Sequence, residues 1–142
     1  MIENNSPRRI GRSVFALLMG FLLVLVLTLL TDLSLRAAGV FPPPGQASSS
    51  GPLLLATVYR TLYGILGSYL TARLAPYHPM QHALLGGVIG LALSTAGAIA
   101  TWSHPETLGV HWYPVALVLL ALPTAWLGGK IRTLQISGEE IA

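Results

Sequence analysis

Residues 13–32 read SVFALLMGFLLVLVLTLLTD, a run in which the only charged side chain is the last one, Asp32. A helix rises about 1.5 Å per residue, so this run spans close to 30 Å, the thickness of a bilayer's hydrocarbon core. Three similar runs follow at Leu53–Arg73, Gln81–Thr101 and Trp112–Gly129. The sequence therefore predicts an all-α integral membrane protein, an antiparallel bundle of four transmembrane helices.

The composition of the whole chain supports that prediction. Of its 142 residues, 53% are hydrophobic and only 9% are charged, whereas roughly 25% of the residues of a soluble domain carry charge. Eight Lys and Arg with five Asp and Glu are too few to cover a water-soluble fold of this size. We therefore expect residues 1–142 to form a single membrane domain whose main partner is the lipid bilayer.

The positions of the basic residues predict the orientation. Six of the eight flank the apolar runs on one side of the membrane if the N-terminus is cytoplasmic, and Lys and Arg concentrate on that side. The sequence thus predicts cytoplasmic tails at 1–12 and 130–142, in a membrane of the bacterial inner-membrane type. The six residues are Arg8, Arg9, Arg12, Arg73, Lys130 and Arg132.

Two segments outside the helices have distinct compositions. The first outer loop, residues 38–51, reads AGVFPPPGQASSSG, a Pro-rich and Ser-rich tract that we expect to be flexible and unable to pack a core. The tail from Thr133 onward is expected to be disordered.

Small residues recur every fourth position in two of the helices. At an offset of 57 residues, the ladder of helix 2 matches the ladder of helix 4, which suggests a parallel repeat of two helical hairpins. The alternative is that apolar helices resemble one another by chance. The ladders are Gly64, Ser68 and Ala72 in helix 2, and Ala121, Ala125 and Gly129 in helix 4.

Helix 3 is the richest in small residues, with Gly86, Gly90, Ser94 and Gly97. Since no hydrophobic effect drives helices together within lipid, close approach at small residues supplies much of the contact. We therefore expect helix 3 at the buried centre and helix 1, with bulky side chains after Gly20, at the lipid-facing periphery. The ladders serve packing within the bundle, or one of them remains outside and mediates a homo-oligomer or a larger membrane complex.

Arg60 is the most unusual residue of the chain because it lies about two turns inside helix 2. An arginine within a span costs roughly 2.5–3.5 kcal/mol at the centre on insertion scales, and less toward the interface. Asp32, near the end of helix 1 on the same side of the membrane, is its predicted ion-pair partner. The alternatives are an Arg60 that snorkels to lipid headgroups, or an anion or substrate site.

Chemistry at a conventional active site is not predicted. The chain has no cysteine, and it lacks clustered carboxylates, a nucleophile with its base, or a phosphate-binding glycine loop. His104, Glu106 and His111 share the second outer loop, but we expect a solvated loop rather than a metal site. No basic stripe with interleaved aromatic residues is present, so we expect no nucleic-acid binding.

These patterns favour a non-enzymatic membrane component that acts through helix–helix association and needs no cofactor or metal. The competing hypothesis is a small oligomeric transporter or channel with a polar site near Arg60.

Overall fold

A computed structural model of the chain describes residues 6–104 and 110–141. Residues 1–5 of the predicted N-terminal tail, Glu106 and Ala142 lie outside the described residues. All four helices of the described part are long and apolar enough to cross a membrane. The helices are α1, Ser6–Ala37; α2, Ser50–Leu74; α3, Pro79–Trp102; and α4, Trp112–Ile141.

Successive helices run in opposite directions. The start of α1 lies beside the start of α3, where Ser13 meets His82, and the end of α1 lies beside the early part of α2, where Asp32 meets Arg60. We call the end of the bundle with residues 75–78 the turn end, and the end with residues 38–49 the loop end. Arg60 lies toward the loop end.

The helices α1 and α4 are longer than the apolar runs that predict them. α4 continues to Ile141, so the predicted disorder from Thr133 onward is wrong within the described residues. The added turns are supported by a hydrogen bond of 2.9 Å from the Tyr69 hydroxyl of α2 to Gln135 Oε1, and by an Arg132–Glu139 ion pair at 4.0 Å. These contacts lie beyond the apolar run, where the residues are polar and hydrophobicity alone does not predict a helix.

The prediction that helix 3 is the buried centre is wrong. Of its most apolar 18 residues 11% are buried, against 22% in α2 and 28% in α4. In α3 the buried residues, His82, Ala83 and Gly87, all lie near the turn end. Toward the loop end the α3 side chains of Leu93 and Ile99 are 61% and 71% exposed.

Glycines bring the backbones together in the half of the bundle near the turn end. A Cβ built on Gly128 of α4 would lie 2.5 Å from the carbonyl oxygen of Ile65 in α2. A Cβ on Gly67 of α2 would lie 2.9 Å from the carbonyl oxygen of Gly20 in α1, and one on Gly87 of α3 would overlap Ala125 of α4. The sequence prediction included Ala125 but missed the four glycines in these contacts.

The predicted ladders of helices 2 and 4 serve internal packing. A Cβ on Gly64 would lie 3.3 Å from Oγ1 of Thr124, and Ser68 meets Gly128. Ala72 and Ala125 are each 1% exposed, and Gly129 packs against Met80 and Ala83 of α3. The carbonyl oxygen of Ala121 lies near Gly87.

The small residues of α3 divide between the two halves of the helix. A Cβ on Gly86 would make ordinary contact with Leu17 of α1 at 3.5 Å, whereas Gly90 and Gly97 have no atom within 4 Å of such a Cβ. Ser94 borders a cavity that Gly90 also lines. The part of α3 nearest the loop end is therefore only loosely covered by the rest of the chain.

The outward faces of the helices are apolar. In α1 six leucines, spaced along the helix, are about half exposed or more, and α1 packs chiefly on α2. This is the peripheral position predicted for helix 1, and such surfaces are typical of helices that face lipid. The six are Leu18, Leu22, Leu25, Leu29, Leu30 and Leu33.

Two glycines one turn apart on α3 give a matched test of this packing. We expect Gly87→Leu to destabilise the fold by about 1–3 kcal/mol, because the new side chain overlaps Ala125. Gly90→Leu should unfold at nearly the parent temperature, since open space surrounds it. Circular dichroism during heating in a mild detergent measures both, and equal effects at the two positions would contradict this packing.

Candidate functional site

Arg60 and Asp32 are brought together in the structure. Nη2 of Arg60, on α2, donates to Oδ2 of Asp32, on α1, at 2.6 Å. The side chains are 33% and 24% exposed, so the pair is mostly shielded by the chain itself. A partly buried guanidinium with a carboxylate at hydrogen-bond distance is far less costly than an unpaired one.

Two tyrosines of α2 extend the polar contact between α1 and α2. The Tyr59 hydroxyl donates to Oδ1 of Asp32, so the carboxylate is bonded at both oxygens. One turn further along α2, the Tyr63 hydroxyl and the Thr31 hydroxyl of α1 are 2.8 Å apart. The loop end of the α1–α2 interface is thus held by polar side chains, whereas the turn end is held by glycines.

Tyr113 of α4 completes the surroundings of Arg60. The central guanidinium carbon lies 5.9 Å from the centroid of the Tyr113 ring, within the range of a cation–π interaction. Tyr113 and Tyr59 are buried together with Leu53 and Ala56. An aromatic and aliphatic cluster therefore encloses the charged pair on the side of α2 and α4.

The loop between α1 and α2 covers this cluster. Phe41 packs against it, and the N–H of Val40 donates to the carbonyl oxygen of Leu35 at 2.9 Å. Gly39 and Gly45 turn the chain with φ of +77° and +87°, angles that side chains disfavour. The expectation that this tract cannot pack a core is therefore wrong for Phe41. Its apolar ring is partly buried against the cluster, although most of its neighbours in the tract are proline or polar residues.

A cavity of about 200 Å³ lies beneath this loop, and we call it the loop cavity. Three charged side chains line it, Asp32, Arg36 and Arg60, together with Tyr113. The prolines at 42–44 form part of its cover.

A larger cavity of about 360 Å³ lies among all four helices on the other side of Arg60, and we call it the central cavity. Arg60 lines both cavities. Six of the small residues predicted for helix packing also border the central cavity. The small-residue pattern of the sequence therefore marks the walls of a cavity as well as contacts between helices. They are Gly64, Ser68, Gly86, Gly90, Ser94 and Ala121.

The chain leaves the Arg60 guanidinium incompletely satisfied. A guanidinium has five N–H donors, and Asp32 accepts from Nη2. Nε is buried and has no hydrogen-bond partner among the described residues. A buried donor without a partner costs about 1–3 kcal/mol, so Arg60 retains hydrogen-bonding capacity that the fold does not use.

Polar contacts of His82 join α3 to α1 and to the preceding turn at the turn end. Its Nε2 lies 2.8 Å from Ser13 Oγ of α1, and its Nδ1 lies 3.2 Å from the carbonyl oxygen of His78. Within residues 6–104 and 110–141 no three His, Cys, Asp or Glu side chains form a metal-binding group. The ring of His111 packs on Trp102 instead, with centroids 4.7 Å apart.

The sequence predicts the Asp32–Arg60 pair that the structure contains, but it gives no indication of Tyr113 or of the loop over the site. Tyr113 stands 53 positions after Arg60, and nothing in the spacing of an apolar helix indicates which side chain faces a distant residue. No protein-family model, curated protein or solved structure matches this chain.

The two tyrosines of α2 provide a matched pair of variants. We expect Tyr59→Phe to lower the free energy of unfolding by about 1.5–3 kcal/mol, because it removes a hydrogen bond to a carboxylate. Tyr63→Phe removes a bond between neutral hydroxyls and should cost about 0.5–1.5 kcal/mol. Chemical unfolding in detergent, followed by circular dichroism, compares them. A larger effect at Tyr63 would contradict the central position of Asp32.

Proposed function

We propose that this chain is a non-enzymatic, multi-pass membrane protein that acts by helix–helix association through the loop-end half of α3. The partner that we test is a second copy of the chain, and the same face also suits a helix of a larger membrane complex. The observation that carries the proposal is the open face at Gly90 and Gly97, where no atom lies within 4 Å of an added Cβ.

The position of these glycines supports close helix pairing. Gly90 and Gly97 are seven residues apart, so they lie on nearly the same face of α3, two turns from each other. Small residues at such spacing let a second helix approach closely within lipid. Two copies related by a two-fold axis would present this same face to each other, which closes the assembly as a dimer.

The fate of the other small residues strengthens the argument. The ladders of α2 and α4 pack within the chain, at contacts such as Gly64 with Thr124 and Gly128 with Ile65. The small residues of α3 near the loop end are those that the fold leaves uncovered. Packing within one chain therefore accounts for the small residues of α2 and α4. The small residues of α3 near the loop end remain available to a partner helix.

We further propose that the protein lies in a membrane of the bacterial inner-membrane type with both termini in the cytoplasm. The basic residues that flank the helices concentrate at the turn end, where Lys and Arg are favoured on the cytoplasmic side. The loop over Arg60 then faces outward.

A second candidate function is transport by a small oligomeric carrier or channel. The observation in its favour is that Arg60 lines both the loop cavity and the central cavity. Intramembrane charged residues often mark the path of a substrate.

Cysteine crosslinking tests the pairing directly because the chain has no native cysteine. Under mild oxidation in membranes, we expect Gly97→Cys to give a disulfide-linked dimer, since two copies of the open face meet at this residue. Leu119→Cys is the matched control, because Leu119 is 69% exposed and lies on a different helix, α4. Equal dimer yields at the two positions, or none at Gly97, would contradict the pairing.

Reporter fusions test the orientation. A fluorescent protein that matures only in the cytoplasm should fluoresce when fused after Ala142, and alkaline phosphatase, which is active only outside, should be active when inserted after Gln46. The opposite pattern would contradict cytoplasmic termini.

A further inference from the structure

We infer that the central cavity is a binding site for a lipid-soluble molecule that carries an uncharged oxygen acceptor, such as an ester or quinone carbonyl, on an apolar body. This inference goes beyond the proposed association. Gly90 belongs to both, since it lines the cavity and lies on the open face, but the cavity site depends on Arg60 and the association is tested at Gly97.

The size and lining of the central cavity suit such a molecule. Its volume of about 360 Å³ falls within the range of roughly 300–1,000 Å³ typical of small-molecule sites. Most of its walls are carbon, with large side chains from α1 and α4 and glycines from α2 and α3. The large side chains include Phe21, Leu25, Leu117 and Leu120.

Six hydroxyl groups line the cavity, and half of them are already engaged as donors. Thr61, Ser94 and Thr124 each donate to a backbone carbonyl of their own helix, at 2.6, 2.8 and 2.9 Å. A hydroxyl has one proton, so these three groups present acceptors to the cavity. The other three, Thr28, Ser68 and Thr71, are neutral donors. Among the described lining residues, Arg60 alone has a side-chain nitrogen.

Arg60 is the charged donor of the lining, and a hydrogen bond from a charged donor is roughly twice as strong as one from a hydroxyl, so we expect it to bind the occupant's oxygen. Its guanidinium keeps donors beyond the one taken by Asp32, and its buried Nε has no partner in the described chain. Because Nε is buried, an acceptor oxygen in the cavity would reach it only after the Arg60 side chain rotates.

The charge balance selects an uncharged acceptor. Asp32 lies 2.6 Å from Arg60 Nη2 and neutralises it, so the pair carries no net charge toward the central cavity. A carboxylate or phosphate would have to compete with Asp32 for the guanidinium and be taken out of water as an unpaired charge. A carbonyl oxygen pays neither cost.

The cavity is accessible from the side of the bundle. The contacts between α1 and α3 lie near the turn end, at Leu17 with Gly86 and Ser13 with His82. Toward the loop end, Gly90 has open space around it, and the Leu25 side chain at the rim is 55% exposed. An apolar molecule can therefore enter between these helices from the surrounding lipid.

Matched ligands test this inference on the full chain in mild detergent. Methyl undecanoate carries an ester, tridecane has similar length and no oxygen, and laurate carries a charged carboxylate. Decylubiquinone tests the quinone source. We expect methyl undecanoate, decylubiquinone or both to raise the midpoint of thermal unfolding by several degrees, because a ligand of the folded state stabilises it. The more effective probe distinguishes a lipid ester from a quinone.

Two variants locate the site, and one serves as control. Gly90→Leu fills the cavity and should abolish the stabilisation. Arg60→Lys keeps a positive charge for Asp32 but loses the planar fork of donors, and it should weaken binding about tenfold. Val88→Leu, at an exposed position of α3 outside the cavity lining, should bind as the parent does.

Several outcomes would overturn the inference. Equal stabilisation by tridecane would show that no oxygen is recognised, and stronger stabilisation by laurate would show an anion site. Stabilisation that survives in both Gly90→Leu and Arg60→Lys would place binding elsewhere, and the absence of stabilisation by either carbonyl probe would exclude the site. Crosslinking at Gly97 does not depend on any of these results, so the two proposals fail separately.

Discussion

The charge of Arg60, two to three turns into an apolar helix, is the constraint around which the loop end of this structure is organised. It is met by Asp32 across the α1–α2 interface at 2.6 Å, by the ring of Tyr113 from α4, and by a loop that covers the pair. Leaving such a group unpaired away from water would cost several kcal/mol. The contacts of this one residue thus join α1, α2 and α4 at the loop end.

The two halves of the bundle are held by different forces. Near the turn end, glycines such as Gly20, Gly67 and Gly128 allow backbones to approach so closely that a methyl group would not fit. Near the loop end, polar side chains hold α1 to α2, while α3 leaves Gly90 and Gly97 open. The helices are less closely packed near the loop end, and both the central cavity and the exposed face of α3 result from this looser packing. Ligand binding and helix pairing are therefore expected in this half of the bundle.

The sequence predicted the four helices and the Asp32–Arg60 pair well, because it allows few alternative interpretations of either. Four apolar runs can hardly be read otherwise, and Asp32 was the one acidic residue positioned to meet Arg60. The central helix was predicted wrongly, because richness in small residues does not show which face of α3 is covered. Gly87 and Gly128 were missed for the same reason: in uniformly apolar helices, no alternation of polar and apolar residues indicates the inward face. The helical tail after Thr133 depends on Tyr69 meeting Gln135, a contact across 66 positions.

A double-mutant cycle on Asp32 and Arg60 tests the central claim most directly. The free energy of unfolding is measured for the parent, Asp32→Asn, Arg60→Gln and the double variant in the same detergent. If the pair organises the loop end, each single variant leaves one partner unsatisfied and lowers the free energy of unfolding. The double variant should then lower it by less than the sum of the two single effects, the difference being about 1–3 kcal/mol. Strictly additive effects, or two single variants as stable as the parent, would contradict the claim.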